Sequence, residues 1–250
     1  MTDLHTLSSS EHVSGGRSLD RAAILLSILA VFAPLIIMGG VGEWLGDNTT
    51  LGAVLIMVAY GLSLAIATVV LKSRGTSWRE IGLARPDSWP KTVLLGIGTL
   101  VAYLVVSVTF QAILQVVMQL LPGLEMAPAD RSSFDVLQDN LPLLLLYLVA
   151  AWTTIALGEE MLFRAFLTNG LASLFPGARG RWAFALIGSS VVFGLAHFSW
   201  GFTGIVETTI MGLFFGIVYL RSGRNLWITI IAHSLANTLG FILVFAGVGY

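Results

Sequence analysis

Apolar runs of about twenty residues, separated by short polar connections, dominate the chain after residue 21. They fall at roughly 22–40, 51–71, 92–121, 141–158 (continuing as helix toward 173), 182–198, 203–220 and 226–248. A helix rising ~1.5 Å per residue needs about twenty apolar residues to cross a hydrocarbon core, so each run has a span's length. The pattern predicts an all-α, polytopic membrane helix bundle of about seven transmembrane helices. A polar tail, 1–21, precedes a single integral membrane domain, 22–250. The first run ends without a small-residue cleavage site of the A-x-A kind and reads as an uncleaved span. The third is long for one crossing, which predicts tilt or an extension beyond the membrane before Pro122.

Polar positions between the runs set an orientation. Arg17 and Arg21 precede the first run, and Lys72, Arg74, Arg79, Arg85 and Lys91 surround the second connection. Arg179 and Arg181 precede the fifth run, and Arg221 and Arg224 the seventh. The alternate connections carry Glu43, Asp47, Glu125, Asp130, Asp135 and Asp139, with Arg131 as their only base. Basic connections stay in the cytoplasm, which predicts a cytoplasmic N-terminus and an external C-terminus.

Composition narrows the class. The chain is 56% hydrophobic and 11% charged, with a mean hydropathy of +0.87, too few charges to cover a soluble surface. A formal charge of −1 gives no nucleic-acid footprint. The absence of cysteine removes disulfides, thiolate catalysis and Cys-ligated zinc. Membrane lipids are the implied surroundings; the oligomeric state is not encoded in any pattern here.

Chemistry concentrates at residues 140–240. Glu159, Glu160 and Arg164 lie within six residues of one apolar region. Ionisable groups at membrane depth cost about 2.5–3.5 kcal/mol each on insertion scales and mark functional sites. After the tail the only histidines are His197, closing Phe193-Gly194-Leu195-Ala196-His197, and His233, opening His233-Ser234-Leu235-Ala236-Asn237. Spacing of i,i+4 puts His233 and Asn237 on one helical face, and Glu160 and Arg164 on another. A guanidinium holds a neighbouring carboxylate ionised, whereas a carboxyl in an apolar setting shifts toward a general base's range. Glu160 therefore suits Arg164, and Glu159 is left for a water. One imidazole can share that water, while a second imidazole and an amide can stabilise an oxyanion. These are the parts of a hydrolase acting on acyl bonds. Glu207, in the sixth run, is a further cavity-lining candidate with no obvious partner.

Glu-Glu-x-x-x-Arg, then Phe-x-x-x-His, then His-x-x-x-Asn, in this order on successive membrane helices, resembles the CPBP group of intramembrane proteases. This group includes the CAAX prenyl endopeptidases of the Ras-converting type and their bacterial relatives, the Abi proteins. Trp78-Arg79-Glu80-Ile81-Gly82-Leu83 is similar to a further segment of the group. The resemblance covers roughly 140–240. It implies that Glu159 and His197 activate water, that His233 and Asn237 form the oxyanion site, and that Glu160 and Arg164 support them. It also implies a substrate that is a membrane-associated peptide or lipidated protein, in the eukaryotic case a prenylated CAAX protein.

Alternatives remain at this level. Glu159, His197 and His233 could ligate zinc, although the His-Glu-x-x-His helix that supplies two ligands at i,i+4 is missing, and the reading without a cofactor is preferred. A proton-coupled transporter would show inverted repeats and polar groups in both halves, and a non-catalytic scaffold of the same fold would show gaps in the motifs. The chain shows neither feature. The short tail and compact length suit a prokaryotic cell membrane, and a water-filled cavity reached from the cytoplasmic side is expected. Counting ~1.5 Å per residue from the basic ends puts His197 some 10 Å deeper than His233, a mismatch that helix tilt must absorb.

Overall fold

The computed structural model describes residues 21–45, 49–121 and 126–248, and all regular structure among them is helical. Seven long helices follow in chain order: α1 (Arg21–Leu45), α2 (Thr49–Ser73), α3 (Trp89–Leu120), α4 (Leu141–Ser173), α5 (Arg181–Leu195), α6 (Gly201–Arg221) and α7 (Leu226–Phe245). Six are long and apolar enough to cross a membrane, and α5 is a shorter apolar helix of 15 residues. With exposed Leu94, Val101, Val105, Val108 and Ile113 along α3 alone, the outer surface is a lipid-facing belt. The chain is an integral, multi-pass membrane protein. The polar tail expected at 1–21 lies almost wholly outside the described residues, as do Asp47 and Glu125.

Local sequence explains where the helices start. Ser88 caps α3, its hydroxyl accepting from the Lys91 N–H at 3.4 Å, and Pro90 occupies the first turn, where no N–H is needed. Asn140 caps α4 through Leu143 at 3.2 Å, and Asn225 caps α7 through Trp227 at 3.1 Å.

α1 packs on α2, α3 on α7, and α5 on α6, with α4 passing through the middle of the bundle. The Gly212–Gly216 spacing on α6 serves the α5 interface. A Cβ at Gly212 would lie 3.0 Å from the Ser190 Cα, and Leu186 fills the place a side chain at Gly216 would take. α4 is unlike the other helices. Ala151–Ile155 and Glu160–Leu167 have the wider π-helical turn, and every residue from Glu159 to Leu167 is buried. Two adjacent acids thus both face the interior.

The bundle has two distinct ends. Connections 74–88, 174–180 and 222–225 gather at one, where Tyr219 donates to the Ile81 carbonyl at 2.7 Å and Arg224 to Asn169 at 3.1 Å. Gly82, at φ +119, lets the α2–α3 connection lie against Arg224 and Leu226, a fit that a Cβ would prevent. Connections 126–140 and 196–200 meet at the other, where the Asp130 N–H donates to the Trp200 carbonyl at 3.1 Å and Thr203 to Ala127 at 2.5 Å.

Candidate active site

Glu159 and Glu160 on α4 straddle one imidazole from α7. The His233 Nδ1 lies 3.0 Å from Glu160 Oε1, and its Nε2 lies 3.5 Å from Glu159 Oε2. Glu159, Glu160 and His233 are 5%, 0% and 2% exposed. Residues adjacent on a helix point about 100° apart. That angle suits the two nitrogens of a five-membered ring, so each carboxylate meets one of them.

Arg164 completes the buried group, its Nη1 3.2 Å from Glu160 Oε1 one turn along α4. The contact has ion-pair distance without hydrogen-bond alignment. The guanidinium is held as much by ring faces, 4.2 Å from the Phe193 centroid and 5.8 Å from that of Phe215. Phe215 also stacks on His233 at 5.5 Å. Two acids, one permanent cation and one imidazole thus share a buried layer, where breaking a pair leaves a stranded charge.

His197 comes from a different element than its sequence suggests. α5 stops at Leu195, and His197 begins the tight corner that leads through Phe198–Trp200 into α6. The expected span to residue 198 is therefore three residues too long. Gly201, at φ +75, turns the chain, a conformation that ends the helical run. The His197 Nδ1 lies 2.8 Å from the Phe193 carbonyl. A carbonyl only accepts, so Nδ1 carries the proton and the neutral ring keeps its lone pair on Nε2. Phe-x-x-x-His is thus a local device: the Phe193 backbone fixes the tautomer, and its ring covers Arg164.

Glu159, His197, His233 and Asn237 all line a single cavity of about 1420 Å³, and Asn237 is half-buried one turn beyond His233. The Phe193 ring links the two imidazoles, with its centroid 4.8 Å from that of His197 and 6.4 Å from that of His233. Glu160 and Arg164 lie behind the wall, outside the lining.

Compared with known families, residues 141–239 match a family described as type II CAAX prenyl endopeptidase Rce1-like. Comparison with curated proteins and with solved structures returned no match. The matched span contains all three motifs and the helices that carry them. The match to the model of a protease family supports a CAAX-type endopeptidase in general terms.

Two features of the site come from outside the matched residues or were not paired in the sequence. The first is Tyr60 on α2, whose hydroxyl donates to Glu159 Oε1 at 2.8 Å. Its ring lies against Gly158, where a Cβ would sit 2.9 Å from Tyr60 Cδ1, so the glycine next to Glu159 makes room for the donor. Nothing marks Tyr60 in a span that otherwise reads as generic apolar helix. A hydrogen bond to an ionised group is worth about 1.5–3 kcal/mol, so Tyr60→Phe is expected to lower kcat/KM about ten- to a hundredfold. Thermal unfolding and steady-state assay of the purified variant check this; unchanged kcat/KM would remove Tyr60 from the site.

The second is the partner of Glu207. It is paired with Arg131, from the α3–α4 connection, and accepts from Gln111 on α3. Arg131 also sits 5.1 Å from the Trp200 ring centroid. These residues line the outer part of the cavity, which runs from Glu159 to Arg131, Ser132 and Ser133. The basic end is closed by buried Ile81, Tyr219 and Leu226. None of the residues lining the cavity belongs to the basic connections 74–88, 174–180 or 222–225.

Proposed function

We propose that the protein is an intramembrane endopeptidase that hydrolyses a peptide bond of a membrane-associated substrate with a water activated by Glu159 and His197. The observation that carries this reading is the placement of one buried carboxylate, Glu159, on the wall of a large, mostly apolar cavity while its neighbour Glu160 is committed to Arg164. Glu159 accepts the water's proton. Tyr60 and His233 hold its two oxygens in place. His197 offers Nε2 as the second acceptor for that water. The Asn237 amide faces the same space and stabilises the oxyanion of the tetrahedral intermediate, after which the proton held by Glu159 passes to the leaving amine. His233 has both nitrogens near carboxylates, which suits it to orient Glu159 and to balance charge as the oxyanion forms.

No cofactor enters this scheme. Among the described residues no three His, Asp or Glu side chains are grouped to hold a metal ion. The test is cleavage of an internally quenched apolar peptide, and of a farnesylated CAAX peptide, by protein in lipid nanodiscs that leave both faces open. Cleavage that survives a zinc chelator and falls ~10²–10⁴-fold in His197→Ala is expected. Loss of cleavage to the chelator would establish the zinc alternative with Glu159, His197 and His233 as ligands. No cleavage by folded protein would favour the non-catalytic scaffold.

A further inference from the structure

The cavity and the charges of this molecule disagree about where a cytoplasmic protease should open. Of the 13 Lys and Arg in the chain, Arg21, Lys72, Arg74, Arg79, Arg85, Lys91, Arg179, Arg181, Arg221 and Arg224 flank the ends of helices at one side of the bundle. Arg21 confirms the grouping spatially, lying 5.7 Å from the Phe175 ring of the α4–α5 connection. Arg164 is buried in the middle, and Arg131 is the only base placed among the described connections of the other side. There it is paired with Glu207, and Asp130, Asp135 and Asp139 share that side. Basic connections are retained in the cytoplasm.

Most of the cavity lining lies toward the acidic side. Its walls come mostly from the C-terminal halves of α3 and α7 and from the N-terminal halves of α2, α4 and α6, with Glu159 and His233, near the middle of their helices, at its inner end. On this side α3 and α4 are joined by the connection that carries Asp130, Arg131, Asp135 and Asp139. None of its lining residues belongs to 72–91, 174–182 or 221–226. A closed layer separates the reacting groups from the basic end: Arg164 on Glu160, then the chain of donors Arg224 to Asn169 to Tyr219 to the Ile81 carbonyl.

We propose that the active-site cavity opens on the extracytoplasmic face, and that its substrate is an apolar peptide segment presented from that face or its leaflet. Resting on the protease reading, this makes the substrate class the membrane-anchored part of an exported polypeptide. A protein carrying a prenyl group in the cytoplasm would meet the closed, basic end. Apolar Ile56, Leu104, Leu114, Met118 and Met211 line the cavity beside the polar residues, which suits a chain with large apolar side chains. Arg131 and Trp200, at the mouth, are positioned to meet the polar flank of such a segment where it leaves the bilayer.

The natural chain has no cysteine, so single-cysteine variants report one position each. Ser133→Cys is exposed at the cavity mouth, and Ala178→Cys is exposed in the basic α4–α5 connection. Intact cells are treated with a membrane-impermeant maleimide, then lysed and scored for labelling, with permeabilised cells as the reference. Labelling of Ser133→Cys in intact cells to the permeabilised level, with Ala178→Cys labelled at least tenfold less until permeabilisation, is expected. The reverse pattern, equal labelling of both, or no labelling of Ser133→Cys in intact cells would each overturn the proposal. This readout needs no activity, so failure of peptide cleavage in nanodiscs with the expected labelling would fault the protease reading and leave the orientation standing.

Discussion

Glu159→Gln is expected to reduce peptide cleavage by ~10²–10⁴-fold, the contribution of a positioned general base, while the protein stays folded. Gln has the size of Glu and keeps an oxygen that can accept from Tyr60, so the 2.8 Å contact survives the change. What it loses is the ability to take a proton from water. The same substitution removes a negative charge beside His233, but that ring keeps Glu160 at 3.0 Å on its other nitrogen. A rate measured in nanodiscs, paired with a thermal unfolding curve of the same sample, separates the two effects. A loss under tenfold would take the base role away from Glu159. A large fall in unfolding temperature would make it a structural residue instead.

Much of this site was legible in one dimension, for a physical reason. Ionisable groups are so costly in an apolar helix that Glu159, Glu160, Arg164, His197 and His233 stand out against their surroundings, and i,i+4 spacing is enough to place Glu160 with Arg164 and His233 with Asn237. The helices themselves follow from run length: α2, expected at 51–71, spans Thr49–Ser73, and α3, expected at 92–121, spans Trp89–Leu120. Where reading fails is in what tertiary packing decides. The short α5 and its corner at His197 are signalled only by Gly201, and a 20-residue expectation for each span extends the helix past its true end. Arg131 and Glu207 are both conspicuous, yet 76 residues separate them, and no local pattern says that they meet. Tyr60 is silent because a lone tyrosine in a span has no period or charge to betray it. The side on which the cavity opens depends on which half of each helix lines it, information that exists only once the helices are packed.

Breaking the buried pair is expected to be costlier to the fold than to lose the nucleophilic water. Arg164→Ala should destabilise the protein by about 3–5 kcal/mol, because Glu160, fully buried, would be left without its cation. Glu160→Gln should cost a similar amount through the opposite orphan, a guanidinium whose remaining neighbours are the Phe193 and Phe215 rings. The two residues touch, so their effects should not add. In the double variant Glu160→Gln with Arg164→Met neither charge is present, the methionine refills the space against Phe193, and most of the lost stability should return. Denaturant or thermal unfolding in a fixed lipid–detergent mixture, run on both single variants and the double, gives the coupling energy directly. A double variant as unstable as the sum of the singles would show that the 3.2 Å contact carries no pairing energy and that packing alone holds the centre of α4. Recovery of the fold in the double variant would also open a functional comparison that neither single variant permits, since it asks whether His233 can still orient Glu159 when Nδ1 faces a neutral amide.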